Sequence, residues 1–143
     1  MKLLYTFIIT VFLFQDSKNI SEELLGSWKV SDSESPDTPH GIWEFNKKGG
    51  YESFLIKKIG EFRTGEFKTD HLKDTIVPNR NGNWKLDNDT LIIMLTSEFE
   101  NGKEVFYKLI GTMKFLPNKQ DNGLSLTPIL YGEKQKIKLF LKR

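Results

Sequence analysis

The chain has 143 residues, 38% hydrophobic and 28% charged, with 21 Lys and Arg against 19 Asp and Glu. That is room for one domain with an ordinary core, and the composition excludes a disordered chain. The two signs of charge are interleaved without a basic stripe, which removes the electrostatic footprint of a nucleic-acid binder. With no cysteine present, disulfides, thiol nucleophiles, thiolate metal sites and a lipid-bearing cysteine are excluded together.

Met1-Lys2 is a short basic start, followed by 12 uncharged residues (LLYTFIITVFLF, 3–14) and a polar turn at Gln15-Asp16-Ser17-Lys18. A spanning helix needs about 20 apolar residues, so the run reads as the apolar region of a secretory signal peptide over residues 1–17. No small-x-small pattern precedes Gln15, and the competing reading is an uncleaved amphiphilic strand or anchor. The expectation is an exported protein, periplasmic or secreted. It is not a lipoprotein, and it has no stable membrane insertion after signal removal. Its single domain spans residues 18–143.

Ser21-Glu22-Glu23-Leu24-Leu25 opens on a capping residue and predicts one helical turn, ended by Gly26. Aromatic and β-branched clusters then alternate with turn tokens such as Lys48-Gly49-Gly50, Asn88-Asp89, Asn101-Gly102 and Asp121-Asn122-Gly123. With no long helical period, this spacing predicts an all-β meander of about nine strands closing into a barrel or sandwich.

Register can be tested on apolar faces, because paired strands must agree on which side is buried. Pairing Phe45 with Tyr51 sets Trp43 against Ser53 and carries Leu55 on the same face. An Asn88-Asp89 turn sets Leu86 against Leu91 and Trp84 against Ile93, with Leu95 following. For the third hairpin, a two-residue Asn101-Gly102 turn would split the apolar face. A three-residue loop with Gly102 left-handed would instead pair Leu95 with Tyr107, Ile93 with Leu109 and Leu91 with Gly111, and this bulged loop is the prediction. Residues 71–83, with Pro78 and three asparagines, read as a loop, and 57–70 as ambiguous. Near the C-terminus, Leu124 and Leu126, then Ile137, Leu139 and Leu141, alternate with polar residues as half-buried strands do.

Leu24-Leu25-Gly26-Ser27-Trp28 after a helical turn, Gly41-Ile42-Trp43-Glu44-Phe45 running into Tyr51, and the hairpin from Gly82-Asn83-Trp84 to Ile93 form a pattern covering most of the domain. In this order the chain resembles the lipocalin-like proteins exported by Gram-negative bacteria. The resemblance implies an up-and-down antiparallel β-barrel of eight to nine strands, with Trp28 as the plug of one end. It also implies an arginine partner for that tryptophan from the last strand, for which Arg143 is the available residue. The second, Thr-Asp-Tyr-type motif of true lipocalins is not found in its place.

The interior candidates are Trp43, Phe45, Tyr51, Leu55, Trp84, Ile93, Leu95, Tyr107 and Leu109. Small barrels either hold one ligand or are filled by side chains. With 11 Phe, 4 Tyr and 3 Trp to place, filling is the simpler account of that face. His71, flanked by Asp70 and Asp74, matches no metal motif, and His40 marks the start of a strand. Glu44, Glu52, Glu61, Glu66, Glu98, Glu100 and Glu104 offer carboxylate pairs for acid–base chemistry on a sugar, but most alternate with apolar residues as solvated faces do. Lys136, Lys138 and Lys142 read as protection of an edge or solvent face against aggregation. The favoured expectation is a non-catalytic binder of a small hydrophobic molecule, with no cofactor. The alternatives are a ligand-free envelope module acting through residues 31–40 and 71–83 on a protein or glycan, and a small hydrolase.

Overall fold

A computed structural model describes residues 20–63 and 66–143, with positions 59–73 as backbone only. The expected signal segment, residues 1–17, lies outside the described residues. A short helix α1 (residues 20–24) leads into nine strands. They are β1 (Gly26–Asp32), β2 (Gly41–Phe45), β3 (Gly50–Arg63), β4 (Glu66–Asp87), β5 (Thr90–Glu100), β6 (Lys103–Gln120), β7 (Gly123–Leu130), β8 (Glu133–Lys134) and β9 (Leu139–Lys142). Each of β1 to β7 pairs with the next, and β9 then inserts antiparallel between β7 and β1. Eight strands thus form a closed up-and-down barrel, and the two-residue β8 is an extra strand on β7. Closure removes the exposed edges that a flat sheet of this length would present.

The first two hairpins have the registers that their apolar faces require. Phe45 faces Tyr51 and Trp43 faces Ser53, while Leu86 faces Leu91 and Trp84 faces Ile93. Asn46 locks the β2–β3 turn, its side-chain Oδ1 accepting from the Lys48 and Gly50 amides at 3.0 and 2.8 Å. Replacing it with alanine leaves two amides without that acceptor. The expected loss is about 1 kcal/mol, read as a fall of a few degrees in the thermal midpoint. Asn46→Asp, which keeps the acceptor, is the control, and equal losses in both variants would show that the acceptor does not matter.

The third hairpin corrects the sequence expectation. Asn101 and Gly102 alone form the turn, both at positive φ (51° and 77°), with Glu100 facing Lys103. This dipeptide fits a tight turn whose twist matches the strands. The apolar face is rescued further along. Between the rungs Ser97–Phe106 and Leu95–Gly111, residues 107–110 stand opposite Thr96 alone. Past this wide bulge, Ile93 faces Met113 and Leu91 faces Phe115. Tyr107 and Leu109 therefore do not oppose Leu95 and Ile93.

Residues 71–83 are likewise not a loop but part of β4. Pro78 is accommodated because it faces Phe54 beside a bulge, where Ser53 pairs with Arg80 and Asn79 is the extra residue. It also lies beyond the last β4–β5 rung, Arg80–Glu98, so no strand on that side calls for its missing N–H. The ambiguous stretch 57–70 is backbone hairpin, with Phe62 facing Phe67.

The two ends of the barrel differ. At one end Leu24, Leu91, Leu124 and Leu141 are fully enclosed with Phe45. Trp28 closes this end, its Nε1 donating to the Leu24 carbonyl at 2.8 Å. The Arg143 guanidinium lies 4.1 Å above the indole and its Nη2 donates to the Glu23 and Leu25 carbonyls at 2.8 and 3.0 Å. At the other end β3–β4 and β5–β6 run past the rim as arms, since β2 stops pairing at Gly41–Leu55 and β5 at Arg80–Glu98.

Candidate functional site

The open end is the candidate site, because the inner wall changes character on the way to it. Along β2 the inward residues run Phe45, Trp43, Gly41, and along β3 Tyr51, Ser53, Leu55. Phe45, Tyr51 and Ser53 are buried, Trp43 is partly exposed and Leu55 is 36% exposed. Met113 and Leu139, inward on β6 and β9, are also only half-buried. The middle of the barrel is filled by aromatic rings. Trp43 meets Tyr51 edge-on with centroids 5.6 Å apart and Phe115 at 5.7 Å, and Phe45 meets Trp84 at 5.5 Å. The middle of the interior is thus packed with rings.

The rim of the open end carries exposed apolar side chains beside exposed charged ones such as Lys57, Lys58, Lys103 and Lys108. Among the described residues, the exposed large hydrophobics are Leu55, Ile76, Val105, Phe106, Leu109, Ile110, Leu130, Tyr131 and Ile137. All of them sit at the open end: on the two arms, at the end of β7, or just before β9. Phe106 and Leu109, on the β6 arm, are 70% and 86% exposed. Singly scattered exposed hydrophobics are ordinary, whereas these are gathered at one end of the barrel.

A polar group lies just inside. Arg80 shares the inner face with its partner Ser53, which is buried, and lies two residues from Gly82, the partner of Tyr51. Its Nε is enclosed without a hydrogen-bond partner. An unsatisfied buried donor costs about 1–3 kcal/mol. Its positive charge is felt by both tyrosines nearby. Burial pushes the Tyr51 phenol well above the usual tyrosine range, against opposing pulls from a hydrogen bond with Ser53 and from Arg80. Tyr107 is raised as well, by desolvation first and then by its bond to Glu98, again against Arg80. The Tyr107 hydroxyl donates to Glu98 Oε2 at 2.8 Å. Glu104 accepts from Ser97 Oγ at 2.6 Å and Asn81 Nδ2 at 3.0 Å, and these bonds hold its carboxyl below the usual range.

Of the residues expected to line the interior, the structure brings Trp43, Phe45, Tyr51, Trp84, Ile93 and Leu95 together in one core. Leu55 is at the mouth, Tyr107 packs against the core from the β6 bulge, and Leu109 stands on the outer rim. Sequence reasoning missed Arg80 and the exposed apolar side chains at the open end. The signal for Arg80 was its place at i−2 and i−4 from Gly82 and Trp84, hidden once residues 71–83 were read as a loop.

The other candidates fall elsewhere. Glu44 and Glu52 face each other on the outer surface, Glu44 accepting from Ser27 Oγ at 3.3 Å. Among the described residues no cluster of three metal-ligating side chains occurs, and the His71 side chain lies outside them. No described helix is long and apolar enough to cross a membrane. The chain matches no protein-family model and no curated protein.

Proposed function

We propose that this chain is an exported, lipocalin-like barrel that binds a small hydrophobic molecule at its open mouth, without catalysis. The observation that carries the reading is the segregation of the two ends: one is plugged by Trp28, and the other gathers the exposed apolar side chains around a half-open inner wall. Apolar side chains gathered in this way are unfavourable in water unless something covers them. The stack of Arg143 on Trp28 supports the lipocalin-like part, since it joins the Gly26-Ser27-Trp28 opening to the chain's last residue. Export rests on the uncharged run at 3–14. The alternative of a module acting through residues 31–40 and 71–83 has less support, because the second segment belongs to β4 and only the first is a loop.

The test is the mass of the protein expressed with its own first 17 residues and purified gently. The expected result is a native mass above the denatured mass by one small molecule, with the denatured chain starting near residue 18. A bare monomer that also ignores added apolar probes would overturn the binding reading. Rim variants extend the test. Phe106→Ser combined with Leu109→Ser is expected to weaken binding of N-phenyl-1-naphthylamine about tenfold, the effect of losing roughly 1.4 kcal/mol of apolar contact. Because both side chains are mostly in solvent, stability should move by only about 0.5 kcal/mol. Unchanged probe affinity would remove the rim from the site.

A further inference from the structure

We infer that Asn101 is a deamidation site of the folded protein, the one of its three Asn-Gly steps at which the fold leaves the reacting atoms free. The inference stands apart from the ligand reading above. Asn-Gly is open to this chemistry because glycine puts no side chain in the way of its own amide. The Gly102 amide nitrogen gives up its proton to a base in solution and attacks the Asn101 Cγ. A nitrogen–carbon bond forms, ammonia leaves, and a cyclic imide results. Water then opens either imide bond, giving aspartate or an isoaspartate whose backbone runs through Cβ. Overall, water is taken up and ammonia is released.

The dipeptide occurs at Asn81-Gly82, Asn101-Gly102 and Asn122-Gly123, in three different places on the ladder. Gly82 lies in mid-strand, on rungs with both Tyr51 and Leu95. Two residues on, the Trp84 amide donates to the Gly49 carbonyl at 2.9 Å, so the period of the ladder turns the Gly82 amide to Tyr51. The Asn81 carboxamide is held as well, donating to Glu104 Oε1 at 3.0 Å. Gly123 is the first residue of β7, on rungs with Gln120 and Lys142. A Cβ built there runs into the Leu141 carbonyl oxygen, and one built on Gly82 into that of Met94, so neither peptide unit has room to turn.

Gly102 is the exception. The closing rung of its hairpin is Glu100–Lys103, which leaves Asn101 and Gly102 inside the turn, both exposed. Among the described residues no backbone carbonyl accepts from the Gly102 amide, and nothing stands within 4 Å of a Cβ built on it. The peptide unit can swing toward the Asn101 side chain without opening a strand. The two products differ in effect. Aspartate tolerates the positive φ of 51° and keeps the turn, adding a negative charge beside Glu100 and Glu104. Isoaspartate adds a backbone atom to a turn whose two-residue length sets the register of the β5–β6 arm.

The experiment ages the full chain as purified in warm, mildly alkaline buffer, once folded and once in concentrated urea. Tryptic cuts after Arg80, Lys85, Lys103, Lys119 and Lys134 put the three steps in separate peptides, and mass spectrometry reads the gain from amide to acid. In the folded protein Asn101 is expected to convert about tenfold faster than Asn81 or Asn122, whose glycine amides must first be freed by local opening. In urea the three rates should draw together. Asn101→Gly, which suits the positive φ of the turn, should silence the peptide that ends at Lys103. A gain persisting there would assign the change to Asn88 and overturn the inference. So would a folded protein in which Asn101 is no faster than the other two, or one in which it converts only in urea.

Discussion

Replacing Trp28 with alanine is expected to cost the barrel about 3–5 kcal/mol, the range for emptying a buried aromatic site. The indole is 4% exposed, spans the closed end and satisfies the Leu24 carbonyl through its Nε1. Its loss would also leave Arg143 stacked on nothing and loosen the hold of β9 on α1. Arg143→Ala alone should cost about 1–2 kcal/mol, from a cation–π contact and two hydrogen bonds to the Glu23 and Leu25 carbonyls. The two changes remove parts of one arrangement, so the double variant should lose less than the sum. Urea unfolding of the four proteins checks this. A Trp28→Ala loss below about 1 kcal/mol, or strict additivity, would mean that the closed end is not held by this stack.

Gly82→Ala is expected to be nearly as damaging, for a backbone reason. Gly82 sits at the β4–β5 bulge, where Thr96 is the extra residue between Leu95 and Ser97. A Cβ there would run into the Met94 carbonyl oxygen and come within 3.0 Å of Leu95 Cα. Neither is the end of a flexible side chain, so the strands themselves must part. Overpacking of this kind typically costs 1–3 kcal/mol and occasionally more, and about 2–4 kcal/mol is expected here. The measurement is the thermal midpoint, which should fall by roughly 10 °C. A fall of only about 2 °C would show that the two strands separate easily at this point. Because Gly82 lies between Trp84 in the core and Arg80 at the mouth, the substitution should also disturb probe binding.

These two sites bracket the logic of the molecule. The Trp28 stack closes one end by tying the helix, the first strand and the last residue together. The Gly82 bulge lets β4 and β5 approach closely before they diverge into the arms that carry the rim. Stability is concentrated at the plugged end and in the aromatic middle, which leaves the mouth free to expose side chains that the fold does not need.

Much of this was legible in the amino-acid order. Alternation of apolar and polar residues, together with turn tokens, determined the registers of the β2–β3 and β4–β5 hairpins, because a one-residue slip would expose the whole buried face. Trp28 as a plug was implied only by the resemblance of Gly26-Ser27-Trp28 to lipocalin-like proteins; the structure shows its indole buried and bonded to the Leu24 carbonyl. Three features were decided only by the tertiary structure. The Asn101-Gly102 turn kept its tight geometry, and the conflict with the apolar face moved to a four-residue bulge at 107–110, since a local turn preference and a long-range face can both be met if the strand yields between them. Pro78 sits inside β4 because a bulge and an unpaired flank remove the demand for its N–H, a circumstance set by where the neighbouring strands end. Closure by pairing β9 with β1 joins residues more than a hundred positions apart. That closure makes one end a plug and the other a mouth, and alternation along single strands carries no information about which end of a strand will be open.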